Sequence, residues 1–154
     1  MAYRKPKSRK PSDGKALSQS PLELPFPIFI DENHCRNKAF LAGLDEAKLK
    51  YELHCNYFER GADDIKWIRF AGEQGWLVVT TDDRVRRRAL EKRGILRRKV
   101  RLFVFTDNNT FGAAMAQRLI TAIPEMKTLI ARQSPPLMAS ITKAGNVVQL
   151  WPKK

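Results

Sequence analysis

The apolar positions of this chain fall into short blocks, some continuous and some spaced as on one face of a helix. Ile28, Phe29 and Ile30 run together after Pro27 and stop at Asp31. A short apolar run ending in an acid suits a buried parallel strand whose carboxyl end opens into a cleft. Phe40, Leu41, Leu44 and Leu49 then recur at helical spacing, which predicts a helix between about Cys35 and Lys48 with Gly43 as its weak point. Tyr51 to His54 reads as a second short strand. Asp63 and Asp64 precede Ile65, Trp67, Ile68 and Phe70, the pattern of an N-cap followed by an amphipathic helix, which Gly75 ends. Trp76 to Thr80 is the clearest strand of the chain.

Thr81-Asp82-Asp83 opens a strongly basic helix running to about Arg93, punctuated by Gly94, and Val100 to Phe105 is another apolar strand. Phe111, Met115, Leu119, Ile120 and Ile123 mark a long helix, expected to break at Pro124 and resume toward Ala131. Leu137 to Thr142 and Val147 to Trp151 flank a Lys143-Ala144-Gly145-Asn146 turn, which predicts a terminal β-hairpin. Strands alternating with helices imply βαβ units and a mostly parallel sheet covered by helices.

Composition adds boundaries to this picture. A chain of 154 residues fits one domain with one core. Residues 1–27 read as a basic tail, with Arg4, Lys5, Lys7, Arg9, Lys10 and Lys15 set among Pro, Ser and Gly. That tail is either an arm for nucleic-acid phosphates or a solubilising extension, and residues 28–154 form the domain. The formal charge of +13 attracts polyanions, with nucleic acid the first partner to consider and an acidic protein the second. Only Cys35 and Cys55 occur, without a CxxC pair, so a disulfide framework is not expected and a reducing cytoplasm is the default location. No apolar stretch is long enough to span a bilayer, and no apolar region of a signal peptide follows the basic start, so no membrane partner is expected.

Ligands of open α/β sheets sit beyond the carboxyl ends of the strands. Asp31 ends the first strand, Asp82 lies just after the Trp76 to Thr80 strand, and Asp64 at the start of the intervening helix can face the same edge. Carboxylates gathered from separate elements repel one another unless a cation lies between them, and oxygen-only ligands suit Mg²⁺ or Mn²⁺. Such an ion would activate a water and neutralise charge on a phosphodiester. The plainer alternative is that Asp31 and Asp82 each cap a following helix.

Five blocks carry a resemblance: Ile28-Phe29-Ile30-Asp31, Glu52-Leu53-His54, Asp64-Ile65-Lys66-Trp67-Ile68, the run from Gly75 to Asp82, and Arg84-Val85-Arg86-Arg87-Arg88. In order and spacing they resemble the PIN-like domain of VapC-type toxins, and the Leu102 to Thr106 strand and closing hairpin extend the likeness over roughly residues 28 to 150. Its most specific element is the Thr-x-Asp of Thr80 to Asp82. The resemblance implies a three-layer α/β/α fold, Mg²⁺- or Mn²⁺-dependent cleavage of RNA, an antitoxin protein as partner, and a homodimer. By position it implies Asp31, Asp64 and Asp82 as metal-holding acids and Thr80 as the residue orienting Asp82 or a water, with Asp107 either a further ligand or an ordinary turn residue. One departure stands out: Asn56 occupies a stretch where the family often carries an acid.

Between Arg84 and Arg101 there are ten Lys or Arg residues and one acid, Glu91. Such a run is either a solvated helix face or a phosphate-binding surface; its position beyond Asp82 favours RNA contacts by Arg84, Arg86, Arg87, Arg88, Arg97 and Arg98. An acidic antitoxin segment is the competing occupant. His34 and His54 read as surface or strand residues, and a Zn site from the His34-Cys35 and His54-Cys55 pairs is the remote alternative. The tryptophans suit packing. The expected function is a metal-dependent endoribonuclease, probed against two rivals: a catalytically degenerate RNA- or protein-binding module, for which Asn56 speaks, and a flap-type DNA nuclease, for which the chain is short.

Overall fold

The continuous apolar blocks become strands whose side chains alternate between two helical layers. The structure is a computed structural model that describes residues 23–82, 84, 85, 87, 99–106 and 110–152. In chain order these residues form β1 (Ile28–Ile30), α1 (Lys38–Glu46), β2 (Tyr51–Leu53), a 3-10 turn (His54–Asn56), α2 (Asp64–Gln74), β3 (Leu77–Thr80), β4 (Arg101–Phe105), α3 (Gly112–Arg132), β5 (Leu137–Ile141) and β6 (Val147–Trp151). The strands form one sheet in the order β2-β1-β3-β4-β5-β6. The first five run parallel, and β6 returns antiparallel to β5 as the predicted hairpin.

Period-two alternation divides the core. Ile28, Ile30, Leu77, Val79, Phe103 and Phe105 face the layer of α1 and α3, where Phe40, Leu44, Met115, Leu119 and Ile123 are buried. Phe29, Val78, Leu102, Val104 and Met138 face α2 and its Trp67, Ile68 and Ala71. This is the expected three-layer α/β/α arrangement. Leu24 and Phe26, within the span read as tail, also pack against the first of these clusters.

The helix ends explain where sequence reading erred. Residues between Asp31 and Asn37 form turns rather than helix, and α1 starts only where Asn37 caps it by accepting from the Phe40 backbone N–H at 3.1 Å. Asp63 sits at the N-cap of α2 but makes no side-chain cap hydrogen bond. Gly75 ends α2 in the left-handed region at φ 80°, as its position predicts. The expected break at Pro124 does not occur: α3 runs unbroken from Gly112 to Arg132. Its buried stripe continues on both sides of the proline through Ala122, Ile123, Met126, Leu129 and Ile130. That packing outweighs the one backbone hydrogen bond a proline removes.

The strand order has one consequence for function. From β1 the chain moves to β2 on one side, then crosses back to β3 on the other. A crevice therefore opens at the carboxyl ends of β1 and β3, the switch point at which ligands of open parallel sheets bind.

Candidate active site

Asp31 leaves the end of β1 and is almost wholly buried, 3% exposed. Its Oδ2 accepts from the Thr80 hydroxyl at 2.6 Å and from the Thr81 backbone N–H at 3.1 Å, and its Oδ1 accepts from the His34 backbone N–H at 3.2 Å. The carboxylate thus clasps the end of β1 to the end of β3. Burial pushes its pKa up, while the Thr80 hydroxyl, the His34 charge and the two backbone N–H groups pull it back.

Thr80 connects this acid to the next. While its hydroxyl donates to Asp31, the same oxygen accepts from the Asp82 backbone N–H at 3.1 Å. Asp82 itself accepts from the Arg84 backbone N–H at 2.9 Å and pairs with the Arg84 guanidinium, at 3.2 Å to Nε and 3.4 Å to Nη2. The cap reading is therefore partly right: both acids accept from backbone N–H groups of the turns that follow them. Capping leaves Asp82 reachable, since its side chain keeps 20% exposure.

Asp64 arrives from the start of α2, where its Oδ1 accepts from the Trp67 indole N–H at 3.1 Å. One cavity of about 440 Å³ is lined by Asp31, Thr80, Asp82 and Asp64 together. Sequence reasoning missed two further acids of its wall, Glu32 and Asp63. Glu32 accepts from the Gly61 backbone N–H with both oxygens, at 2.9 and 2.8 Å, which ties the turn after β1 to the loop before α2. Its signal was its place directly after a strand-end acid. Asn56 is exposed and does not line the cavity.

Five carboxylates and one guanidinium around one cavity of a chain with net charge +13 is a concentrated negative spot in a positive field. The donor set is all oxygen, the chemistry of a hard divalent cation. Among the described residues, no three His, Cys, Asp or Glu side chains stand close enough to hold a metal ion together. The arrangement fits Mg²⁺ or Mn²⁺ in the water-rich manner, with one or two direct carboxylates, rather than an all-protein cage.

Residues 27–107 match the family described as PIN like domain, just over half of the chain. The chain belongs to the PIN-like domain family. No match to a curated protein is found, and none to a solved structure. A PIN-like domain points to nuclease chemistry, and nucleases of this kind typically use divalent metals. Among the described residues no helix is long and apolar enough to cross a membrane.

The other expected site residues are distributed differently. Arg84 and Arg87 lie in a helical stretch directly after Asp82, both exposed. Arg86, Arg88, Arg97, Arg98 and Asp107 lie outside the described residues. Arg101 does not share the Arg84 surface: it opens β4 at the amino ends of the parallel strands, with its guanidinium 4.3 Å from the centroid of the Phe26 ring.

The histidines are corrected outright. His34 is buried, with its Nε2 3.2 Å from the Thr81 hydroxyl and its ring 5.2 Å from that of Phe40. His54 is 1% exposed among Phe29, Phe58 and Trp67, and neither ring nitrogen has a hydrogen-bond partner. The His-Cys pairs form no metal site among the described residues, where no three His, Cys, Asp or Glu side chains stand close enough to hold an ion; burial, with Cys55 beside it, pushes the Cys35 thiol up to about 12.

Burial lowers the His54 pKa, against the pull of Glu32 and Asp64. A folded pKa below the unfolded value of 6.5 gives stability that is fully present above about pH 6.5 and lost as pH falls through the folded pKa. Thermal melts should therefore show a decline in Tm beginning near pH 6.5, and His54→Phe should remove that component. An unchanged pH profile in the variant contradicts this assignment.

Proposed function

We propose that this PIN-like domain is a metal-dependent endoribonuclease, the toxin half of a toxin–antitoxin pair, acting at the cavity between β1 and β3. One observation carries the reading: acids from three separate elements, Asp31, Asp64 and Asp82, line a single cavity at the switch point of a parallel sheet. Backbone folding alone does not require like charges to converge, and a stability-driven sequence would disperse them.

One or two of Asp31, Asp64 and Asp82 would hold Mg²⁺ or Mn²⁺ directly and the remainder through water, and the ion when bound supplies water activation and charge neutralisation at a phosphodiester. The protein's own residues set the geometry. Asp31 is held in one orientation by Thr80, Thr81 and His34, and Thr80 transmits that position to the backbone of Asp82. Arg84 stands at the rim, where its guanidinium can meet a phosphate oxygen. The exposed arginines after Asp82 and the overall charge of +13 favour a polyanionic substrate, and a second, acidic protein would cover the same surface to silence it.

A second reading has its own support. The lack of three close donors among the described residues, and the pairing of Asp82 with Arg84, suit a scaffold that binds RNA without cutting it. The full chain incubated with single-stranded RNA separates the two. The nuclease reading expects cleavage with Mn²⁺ or Mg²⁺ that stops with a chelator, and affinity that falls steeply as salt rises from about 50 to 200 mM. RNA retained intact under all metal conditions would establish the binding module instead.

A further inference from the structure

A second cavity, of about 620 Å³, adjoins the acidic one. The two share Asn33, Asp82 and Arg84 as a common wall, so a chain lying across the acids continues directly into it. Its far side is built by Arg87, Thr110 and Phe111. Its volume falls in the range of about 300–1,000 Å³ usual for small-molecule sites.

Phe111 breaks two local rules at once. It is 67% exposed, while the other phenylalanines among the described residues are buried or partly buried. It also occupies the N-cap position of α3, where it makes no side-chain cap hydrogen bond. Ser, Thr, Asp or Asn would satisfy that position, and an aromatic ring there costs both capping and solvation. Local rules broken without compensation in the fold are expected where a residue serves a ligand.

The surroundings indicate which ligand. A protein-docking face would present a contiguous apolar patch, and among the described residues the only other large exposed apolar side chain is Val148, on β6 and not part of this cavity. One ring beside arginines and polar side chains is instead the pattern of single-stranded nucleic-acid sites, where bases stack on aromatic faces and cations follow the backbone.

We propose that Phe111 is the stacking platform for a nucleobase flanking the phosphate at the acidic cavity, with Arg84 and Arg87 following the intervening backbone. This rests on the ribonuclease reading and narrows its substrate to RNA that is single-stranded on that side of the cut. A duplex keeps its bases stacked on one another and offers no free face to the ring.

The test is equilibrium binding of a short single-stranded RNA carrying 2-aminopurine to the full chain, in chelator so that no RNA is consumed. Phe111→Ala should weaken binding about 5- to 100-fold, the range for losing one base–aromatic stack. It should also abolish quenching of the 2-aminopurine, which a purely structural role would not affect. Phe111→Trp should restore both, while affinity for duplex RNA stays the same in all three proteins. Equal binding and quenching by wild type and Phe111→Ala overturns the proposal, as does a variant that loses capture of an acidic protein partner but not RNA.

The two readings fail separately. Wild-type RNA cleavage with a silent Phe111→Ala keeps the nuclease and removes the platform. Phe111-dependent quenching without metal-dependent cleavage keeps the platform on a binding module.

Discussion

Asp31→Asn and Asp82→Asn should each lower metal-dependent RNA cleavage by more than about 100-fold while leaving the fold intact. Residues that merely support a metal ligand cost about 10–100-fold when replaced, so loss of a charged ligand should exceed that. The stability side is equally specific. Asn at position 31 can keep its oxygen toward Thr80 and Thr81, but its NH2 cannot accept from the His34 N–H, so that one side-chain bond is given up. That N–H also lies 3.2 Å from the Asp31 carbonyl oxygen, so little is lost. In return the buried charge, whose desolvation raises the Asp31 pKa, disappears. Asp31→Asn should therefore melt at or above the wild-type temperature at neutral pH, the usual relation between a strained active site and stability. At Asp82 the lost ion pair joins an Arg84 side chain that is 76% exposed, so its removal should leave the Tm close to that of wild type. A Tm well below wild type for both variants would mean that these acids hold the fold rather than a ligand.

The largest effect on stability should come from Gly43→Leu, at or beyond the upper end of the roughly 1–3 kcal/mol range for overpacking, or a Tm lower by about 6–12 °C. A Cβ on Gly43 would lie 2.6 Å from the Cβ of Ala116 in α3. Ala116 is 1% exposed and has no side chain that can swing aside, so α1 and α3 would have to separate. Gly43→Ala is the finer test, because better helix propensity, worth about 1 kcal/mol, opposes the clash. Adding Ala116→Gly should recover stability only in the Gly43→Ala background, which a double-mutant cycle by thermal or urea melts would read as coupling. Gly43→Leu melting like wild type would contradict the close crossing.

The glycine shows what sequence reading can and cannot reach. Periodicity marks Gly43 as a weak helical position, but only the crossing of α1 and α3 shows it as the point of contact. Strand-end logic reaches the positions of Asp31 and Asp82 at one cavity because each lies just past a strand marked by an apolar run, and that of Asp64 because the intervening helix starts at the same end of the sheet. Glu32 is only half legible: its place directly after a strand-end acid is visible, but its contact depends on the Gly61 loop folding back across 29 residues of chain. The burial of the histidines is hidden for a related reason: His54 is enclosed by Phe29 and Trp67 from other elements, and His34 meets Thr81 across 47 residues of chain. Pro124 misled because a local penalty was weighed without the packing that overrides it. The charge run from Arg84 to Arg101 reads as one surface, yet Arg84 lies beyond the carboxyl end of β3 while Arg101 opens β4 at the amino ends of the strands, beside Phe26.

The central claim is that the carboxylates between β1 and β3 form the catalytic centre of a metal-dependent ribonuclease. Its most direct test is the single-turnover rate of RNA cleavage as a function of Mn²⁺ concentration, for wild type and Asp31→Asn at one fixed ionic strength. A saturable, Mn²⁺-dependent rate in the wild type that falls by more than about 100-fold in a folded Asp31→Asn protein is the predicted result. A wild-type protein that binds the RNA and leaves it intact at every Mn²⁺ concentration, or an Asp31→Asn variant that cleaves as fast as wild type, would contradict it.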